Sequence, residues 1–178
     1  MQETGRLYVR NFLFRNEELI LGDWAGHLCL CYWTASKLCP VMESRILREL
    51  HSERCWKTTA LLDKTASQLE EFQKGVRLHF ELPLLLLGTD FQRTVWRTLQ
   101  EVPYGSTCSY RTVAEKIGRP QSVRAVANAL AHNPLQLIIP CHRVVGADGR
   151  PTGYAGGLPL KSFLLQLEKS RVALSEQG

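Results

Sequence analysis

Cys141 and His142 stand side by side in the run Ile138-Ile139-Pro140-Cys141-His142-Arg143-Val144-Val145, with apolar residues on both flanks. A cysteine attacks as its thiolate, so a base beside it at the edge of a rigid element is the arrangement that nucleophilic sulfur chemistry needs. Most buried cysteines are inert small hydrophobes, so the pair becomes a site only through the residues around it. Upstream, Arg111, Lys116, Arg119, Arg124 and His132 gather against a single acidic residue, Glu115. Such a cluster is more often a solvated face than a binding surface. Downstream lies the glycine-rich loop Thr152-Gly153-Tyr154-Ala155-Gly156-Gly157. It lacks the strand and Gly-Lys-Ser/Thr signature of a phosphate cradle, which excludes a nucleotide-binding loop.

The elements that must position these residues can be read from capping and periodicity. Thr89 or Asp90 is placed to cap a helix over 91–100 with Phe91, Val95, Trp96 and Leu99 inward, and Pro103-Tyr104-Gly105 ends it. Ser109 is predicted to cap a helix over 110–117, with Val113, Ala114 and Ile117 as its apolar stripe and Gly118-Arg119-Pro120 as its stop. Ser122 is predicted to cap a third helix over 123–132. Two short helices about a tight Gly-containing turn form a helix-turn-helix, a motif that sets its second helix against DNA and that also occurs as plain packing. That second helix reads Arg124-Ala125-Val126-Ala127-Asn128-Ala129-Leu130-Ala131. Small side chains permit close approach to a surface but read base edges poorly, so the helix is built for proximity. Residues 144–150 read as a strand and tight hairpin, and 161–167 as a final amphipathic helix with Glu168 at or near its end.

Ahead of residue 88 the pattern differs. Short strands over 7–9, 19–21 and 27–33, with turns at Gly22-Asp23 and Gly26, predict a small antiparallel sheet. Helices are predicted over 41–51 and 61–74, the latter burying Leu62, Ala66, Leu69 and Phe72 and stopping at Gly75; residues 76–87 read as extended. The domain boundary falls between Leu82 and Asp90, giving domains 1–87 and 88–178. The 178 residues, 44% hydrophobic and 22% charged, suit a soluble globular protein. A net charge of +5 permits a polyanionic partner without requiring one. Cys29, Cys31, Cys39, Cys55, Cys108 and Cys141 fit no disulfide-scaffold spacing, and no secretory leader pattern opens the chain, so a reducing, cytosolic or nuclear setting is expected. The apolar run 82–87, interrupted by Pro83, is far short of the roughly 20 residues of a membrane helix.

Taken together, Phe91-Gln92-x-x-Val95-Trp96, Val102-Pro103-Tyr104-Gly105, Ser109-Tyr110, Arg124-Ala125-Val126, Asn133-Pro134, Pro140-Cys141-His142-Arg143-Val144 and Gly153-Tyr154-x-Gly156-Gly157, with Glu168 after them, resemble the O6-alkylguanine-DNA alkyltransferases in order and spacing. The resemblance covers 89–168 closely and the first half only in its general layout. It implies an α+β fold: a ribonuclease-H-like companion domain with a small antiparallel sheet and helix, then a mainly helical, winged-helix-like domain carrying the helix-turn-helix. It implies that Cys141 accepts an alkyl group from O6-alkylguanine, and from O4-alkylthymine, in a single-use reaction. His142 would activate the cysteine through a bridging water, Glu168 would orient the histidine, Asn133 would brace the cysteine's turn and Tyr110 would donate to the departing guanine. Arg124, Ala125, Ala127, Ser109, Thr107 and Arg111 would meet double-stranded DNA in the minor groove, with Arg124 filling the place of a flipped nucleotide. Pro140, Val144, Val145, Tyr154, Ala155 and Gly156 would wall the pocket with Tyr110. The resemblance further implies a monomer without cofactor, cytoplasmic in a prokaryote or nuclear in a eukaryote.

Some members of the family hold a structural zinc in the first domain, for which His27, Cys29, Cys31, Cys39 and His79 are the candidates here. Their spacing matches no zinc pattern, and the two thiols of Cys29-x-Cys31 share one face of a strand, commonly the core, so no metal is expected. Non-reactive members lack the cysteine, which separates them from this chain. Two other readings stay open on the residues: a Cys-His hydrolase that turns over through an acyl-enzyme, and a DNA-binding regulator in which Cys141 is merely buried.

Overall fold

A computed structural model of the chain describes residues 5–175. The chain divides into two compact units, Met1–Leu87 and Gly88–Gly178, with an α+β composition. The first unit runs β1 (Gly5–Phe14), β2 (Glu17–Trp24), β3 (His27–Trp33), α1 (Cys39–Glu49), β4 (Ser52–Trp56) and α2 (Ala60–Gln73). Its sheet has the order β3-β2-β1-β4. The three strands legible in the sequence form an antiparallel meander, the first two longer than their apolar centres and the third spanning the expected 27–33. The fourth lies parallel to β1, with Leu7 opposite Arg54. Its sequence, Ser-Glu-Arg-Cys-Trp, has no alternation of apolar residues because the strand sits at the sheet's edge with its side chains largely exposed. Leu7, Val9, Leu21, Leu30, Leu62, Leu69 and Phe72 are buried in the core of this unit. Cys29 and Cys31 are buried in β3, and burial together with the neighbouring Asp23 pushes the Cys29 thiol up to about 12. Among the described residues no group of three His, Cys, Asp or Glu side chains is arranged to hold a metal.

The second unit contains α3 (Asp90–Gln100), β5 (Cys108–Ser109), α4 (Tyr110–Lys116), α5 (Val123–Ala131), a 3-10 turn at Cys141–Arg143, β6 (Val144–Val145) and α6 (Leu158–Ser175). Thr89 and Gln92 form a reciprocal capping box on α3. Trp96 Nε1 donates to the carbonyl of Ala129 at 2.9 Å, pinning α3 to α5. Ser109 caps α4 by accepting from the Thr112 amide, its backbone extended as a side-chain cap requires.

Three sequence expectations are corrected here. Ser122 makes no side-chain cap, because its backbone, with ψ at 26°, has already left the extended region from which a hydroxyl folds back onto the helix. The strand at 144–145 does not close a hairpin: it pairs in parallel with β5, Cys108 against Val144 and Ser109 against Val145. The tight turn after it does exist, with the Gly146 amide on the Arg150 carbonyl at 2.9 Å. The last helix is longer than 161–167 and places Glu168 near its middle. Pro159 is tolerated in its first turn, and no glycine or proline interrupts the helix beyond it. Among the described residues no helix is long and apolar enough to cross a membrane.

Candidate active site

Asn133 closes α5 and organises the loop that leads to the cysteine. Its Oδ1 accepts from the Leu135 amide at 3.0 Å while its Nδ2 donates to the Ile139 carbonyl at 3.1 Å, so one buried side chain spans the whole of that loop. Within the loop Leu137 adopts φ +68, a left-handed conformation that costs a non-glycine residue about 1–2 kcal/mol. The loop ends with the Cys141 amide donating to the Ile139 carbonyl at 2.7 Å.

Cys141 is 4% exposed, and its Sγ donates to Gln136 Oε1 at 3.2 Å. Burial pushes the thiol up to about 11, against the Asn133 amide and the Lys161 ammonium, which favour the anion. The resting sulfur is therefore protonated near neutral pH. Its proton needs a base.

His142 is fully buried, and its Nε2 donates to Glu168 Oε1 at 2.7 Å. Burial holds the imidazole below its ordinary value despite the facing carboxylate, so the ring is neutral and its lone pair lies on Nδ1. Nδ1 has no hydrogen-bond partner among the described residues. The edge of Tyr154 lies against the ring with centroids 6.5 Å apart.

Glu168 is the hub. Beyond His142 it accepts from Arg143 Nε at 2.9 Å, Arg143 Nη2 at 3.1 Å and the Gly105 amide at 2.9 Å. Burial alone raises a carboxyl group; here the His142 and Arg143 donors outweigh it and hold the group down to about 2. Arg143 is itself fixed by the Val102 carbonyl at 2.7 Å and lies 5.5 Å from the centre of the Tyr104 ring. Gly105 is required at its position: φ is +76, and a Cβ would overlap Val172 of α6.

The glycine-rich loop is clamped from two sides. Lys161 Nζ donates to the carbonyls of Val144 at 2.5 Å, Thr152 at 2.6 Å and Gly153 at 3.3 Å, and burial draws the ammonium down to about 8. The Tyr110 hydroxyl donates to the same Thr152 carbonyl at 3.1 Å. Pro140, Val144 and Val145 are buried, whereas Tyr154, Ala155 and Gly156 are half-buried. On α5, Arg124, Ala125 and Ala127 are exposed and Val126, Ala129 and Leu130 buried, so the alanines divide between surface and core. Thr107 and Arg111 are exposed, and Ser109 serves as the cap of α4.

Cys141, His142, Glu168 and Asn133 are thus brought into one buried cluster, while Tyr110 stands at the loop. Besides Arg143, which stands in the Pro140–Val144 motif without a role of its own, two members of the cluster belong to no functional pattern in the sequence: Gln136 and Lys161. Their signal is a lone polar side chain inside an apolar run, as in Leu135-Gln136-Leu137-Ile138-Ile139, or a lone cation on the buried face of the last helix.

A buried thiol, a neutral imidazole next to it in sequence and an ionised carboxylate bound to that imidazole thus lie on a helical unit with a helix-turn-helix. Residues 90–170 match the family model described as the DNA binding domain of 6-O-methylguanine DNA methyltransferase. The methylated-DNA–protein-cysteine methyltransferase of Methanosarcina barkeri is 50% identical over 109 residues, covering 61% of this chain and 69% of that protein. The Mycobacterium tuberculosis protein of the same description is 51% identical over 104 residues, covering 58% of this chain and 63% of that one. A crystal structure of Mycobacterium tuberculosis OGT in complex with DNA superimposes with a TM-score of 0.77 at 36% identity, over 93% of this chain and 94% of that one. The chain belongs to the methylated-DNA–protein-cysteine methyltransferases, a family of DNA-repair methyltransferases.

Proposed function

We propose that the chain repairs double-stranded DNA by moving the alkyl group of O6-alkylguanine, and of O4-alkylthymine, onto Cys141, once per molecule. The observation that carries this reading is the buried Cys141 thiol next to a neutral His142 whose Nε2 is tied to ionised Glu168, leaving Nδ1 to accept a proton. The thiol proton passes to Nδ1 through a bridging water, and Sγ attacks the alkyl carbon in line. The S–C bond forms as the C–O6 bond breaks, and the electron pair leaves on guanine. Tyr110 donates a hydrogen bond to that departing anion, and the proton held on His142 returns through solvent to the freed base. The product is a thioether, which has no leaving group that water can displace, so the cysteine is not regenerated. An acyl-transfer hydrolase is disfavoured by the Cys141 amide: that N–H, a common oxyanion donor, is already committed to the Ile139 carbonyl.

The alkyl group lies inside the duplex, so its nucleotide must rotate out of the stack, at a cost of a few kcal/mol. The exposed Ala125 and Ala127 let α5 approach the minor groove, and Arg124 takes the vacated place. Affinity comes mainly from phosphate contacts and falls with salt. Mixing the full chain with an equimolar O6-methylguanine duplex is expected to add one methylene mass, mapped to Cys141; no adduct would refute the reading. Arg124→Ala is expected to slow transfer from duplex DNA on the order of tenfold while leaving reaction with free O6-benzylguanine unchanged, as loss of about 1.4 kcal/mol of flipped-state stabilisation implies. Equal slowing of both reactions would remove Arg124 from the flipping step.

A further inference from the structure

We propose that Gln136 is a positioning residue that keeps Cys141 as a resting thiol, by accepting the sulfur's hydrogen, until the transfer reaction draws that hydrogen away. The inference rests on the reading of Cys141 as the alkyl acceptor and adds a group that governs when its sulfur becomes reactive.

Gln136 is 1% exposed, alone among apolar neighbours, and its amide bridges two fixed points. Nε2 donates to the Asn133 carbonyl at 2.9 Å, and Oε1 faces Cys141 Sγ at 3.2 Å. The Asn133 carbonyl decides the orientation. Turning the amide over would set Oε1 against that carbonyl, two buried acceptors face to face, and would discard the Nε2 bond. With Nε2 committed, the sulfur meets an oxygen, and only a thiol can donate to it. A thiolate in the same place would face the negative end of the amide dipole.

The backbone gives Gln136 little room to withdraw. Its carbonyl accepts from the Ile138 amide at 2.8 Å, it pairs with Ile139 in a bridge, and the next residue is the left-handed Leu137. The side chain is therefore held against the sulfur by the same turn that delivers Cys141. Ionisation requires the sulfur to give up Gln136 and turn toward groups that favour the anion, foremost the Asn133 side chain and the Lys161 ammonium. For a cysteine that reacts once, this bond restrains reaction with adventitious electrophiles.

Alkylation of Cys141 by iodoacetamide, measured across pH by intact mass and peptide mapping on the full chain, reads sulfur ionisation without DNA. Gln136→Met keeps the volume and removes the acceptor. It is expected to move the midpoint of the pH profile down by about one unit, giving about tenfold faster labelling below the midpoint, the size of one hydrogen bond. Gln136→Glu keeps an oxygen on the sulfur and adds charge, and is expected to move the midpoint up. A Gln136→Met midpoint equal to or above the wild-type value overturns the proposal, because a residue that only braces the turn would change melting temperature and not this profile. Should Gln136→Met fail to fold, Gln136→Glu decides: a raised midpoint supports the proposal, and an unchanged or lowered one overturns it. Methyl uptake from O6-methylguanine DNA is scored separately. Absent uptake together with the expected midpoint shifts refutes the transfer reading while supporting the Gln136 bond.

Discussion

Replacing Cys141 with alanine is expected to abolish methyl uptake from O6-methylguanine DNA while leaving the fold and DNA affinity intact. The loss should be complete because no other group in the cluster can take the sulfur's part. Attack on a saturated carbon needs a soft, polarisable nucleophile, and the remaining buried candidates are a neutral imidazole with one ring nitrogen bound to Glu168 and an ammonium bound to three carbonyls. The structural cost is small. Alanine removes one sulfur from a closed site and frees the Gln136 oxygen, a change of about 1–2 kcal/mol. Intact mass after incubation with the modified duplex, alongside a binding titration, checks both halves; a mass gain in Cys141→Ala would place the acceptor elsewhere.

Glu168→Ala is expected to destabilise the second unit by about 3–5 kcal/mol, the typical cost of stripping one partner from a buried ion pair. Three dependants lose their acceptor together: Arg143 keeps a buried charge without its counter-ion, the Gly105 amide loses its bond, and His142 loses the contact that fixes its tautomer. Transfer should fall with it, since an imidazole protonated on the wrong nitrogen cannot receive the thiol proton. The same carboxylate makes the wild type acid-sensitive. Its folded value of about 2 lies below its ordinary 4.5, so its contribution, about 3 kcal/mol, is complete above 4.5 and is lost as pH falls from there toward 2. His142 acts in the same sense: the fold favours its neutral form, so stability also declines as pH falls below 6.5. Urea unfolding at pH 7 and pH 3 should show a steep loss for the wild type and a flatter response for Glu168→Gln. Equal pH dependence in the two would mean that the acid sensitivity arises elsewhere.

The helices of the second unit are legible in the sequence because their signals are local: Thr89 and Ser109 as caps, Gly118 as a stop, and apolar positions at helical spacing. The three meander strands are legible from their alternation. β4 is not, since an edge strand with exposed side chains carries no apolar pattern, and its pairing with β1 joins residues 47 positions apart, such as Leu7 and Arg54. The length of α6 is hidden because the buried Lys161 and Glu168 read as polar limits of a short helix when both in fact point into the cluster. At the site, Cys141 and His142 are visible as neighbours, yet their partners come from residues 133 and 136 and from residues 161 and 168. No spacing rule connects a glutamine oxygen to a sulfur five residues on. Only the turn around Leu137 does that.

The two-residue pairing of β5 with β6 acts as a caliper. β5 runs directly into Tyr110 at the start of α4, and β6 issues directly from the turn that carries Cys141, so two rungs of backbone tie the Cys141 turn to the start of the Tyr110 helix. The 152–157 loop hangs from Lys161 and meets the Tyr110 hydroxyl through the Thr152 carbonyl, while the same ammonium holds the Val144 carbonyl of β6. Caliper and loop are therefore tied at both jaws. Under the proposed function, exchanging residues of that loop is expected to shift the reach at Tyr110 along with the room for bulkier lesions, which transfer rates on a panel of alkylated duplexes would read.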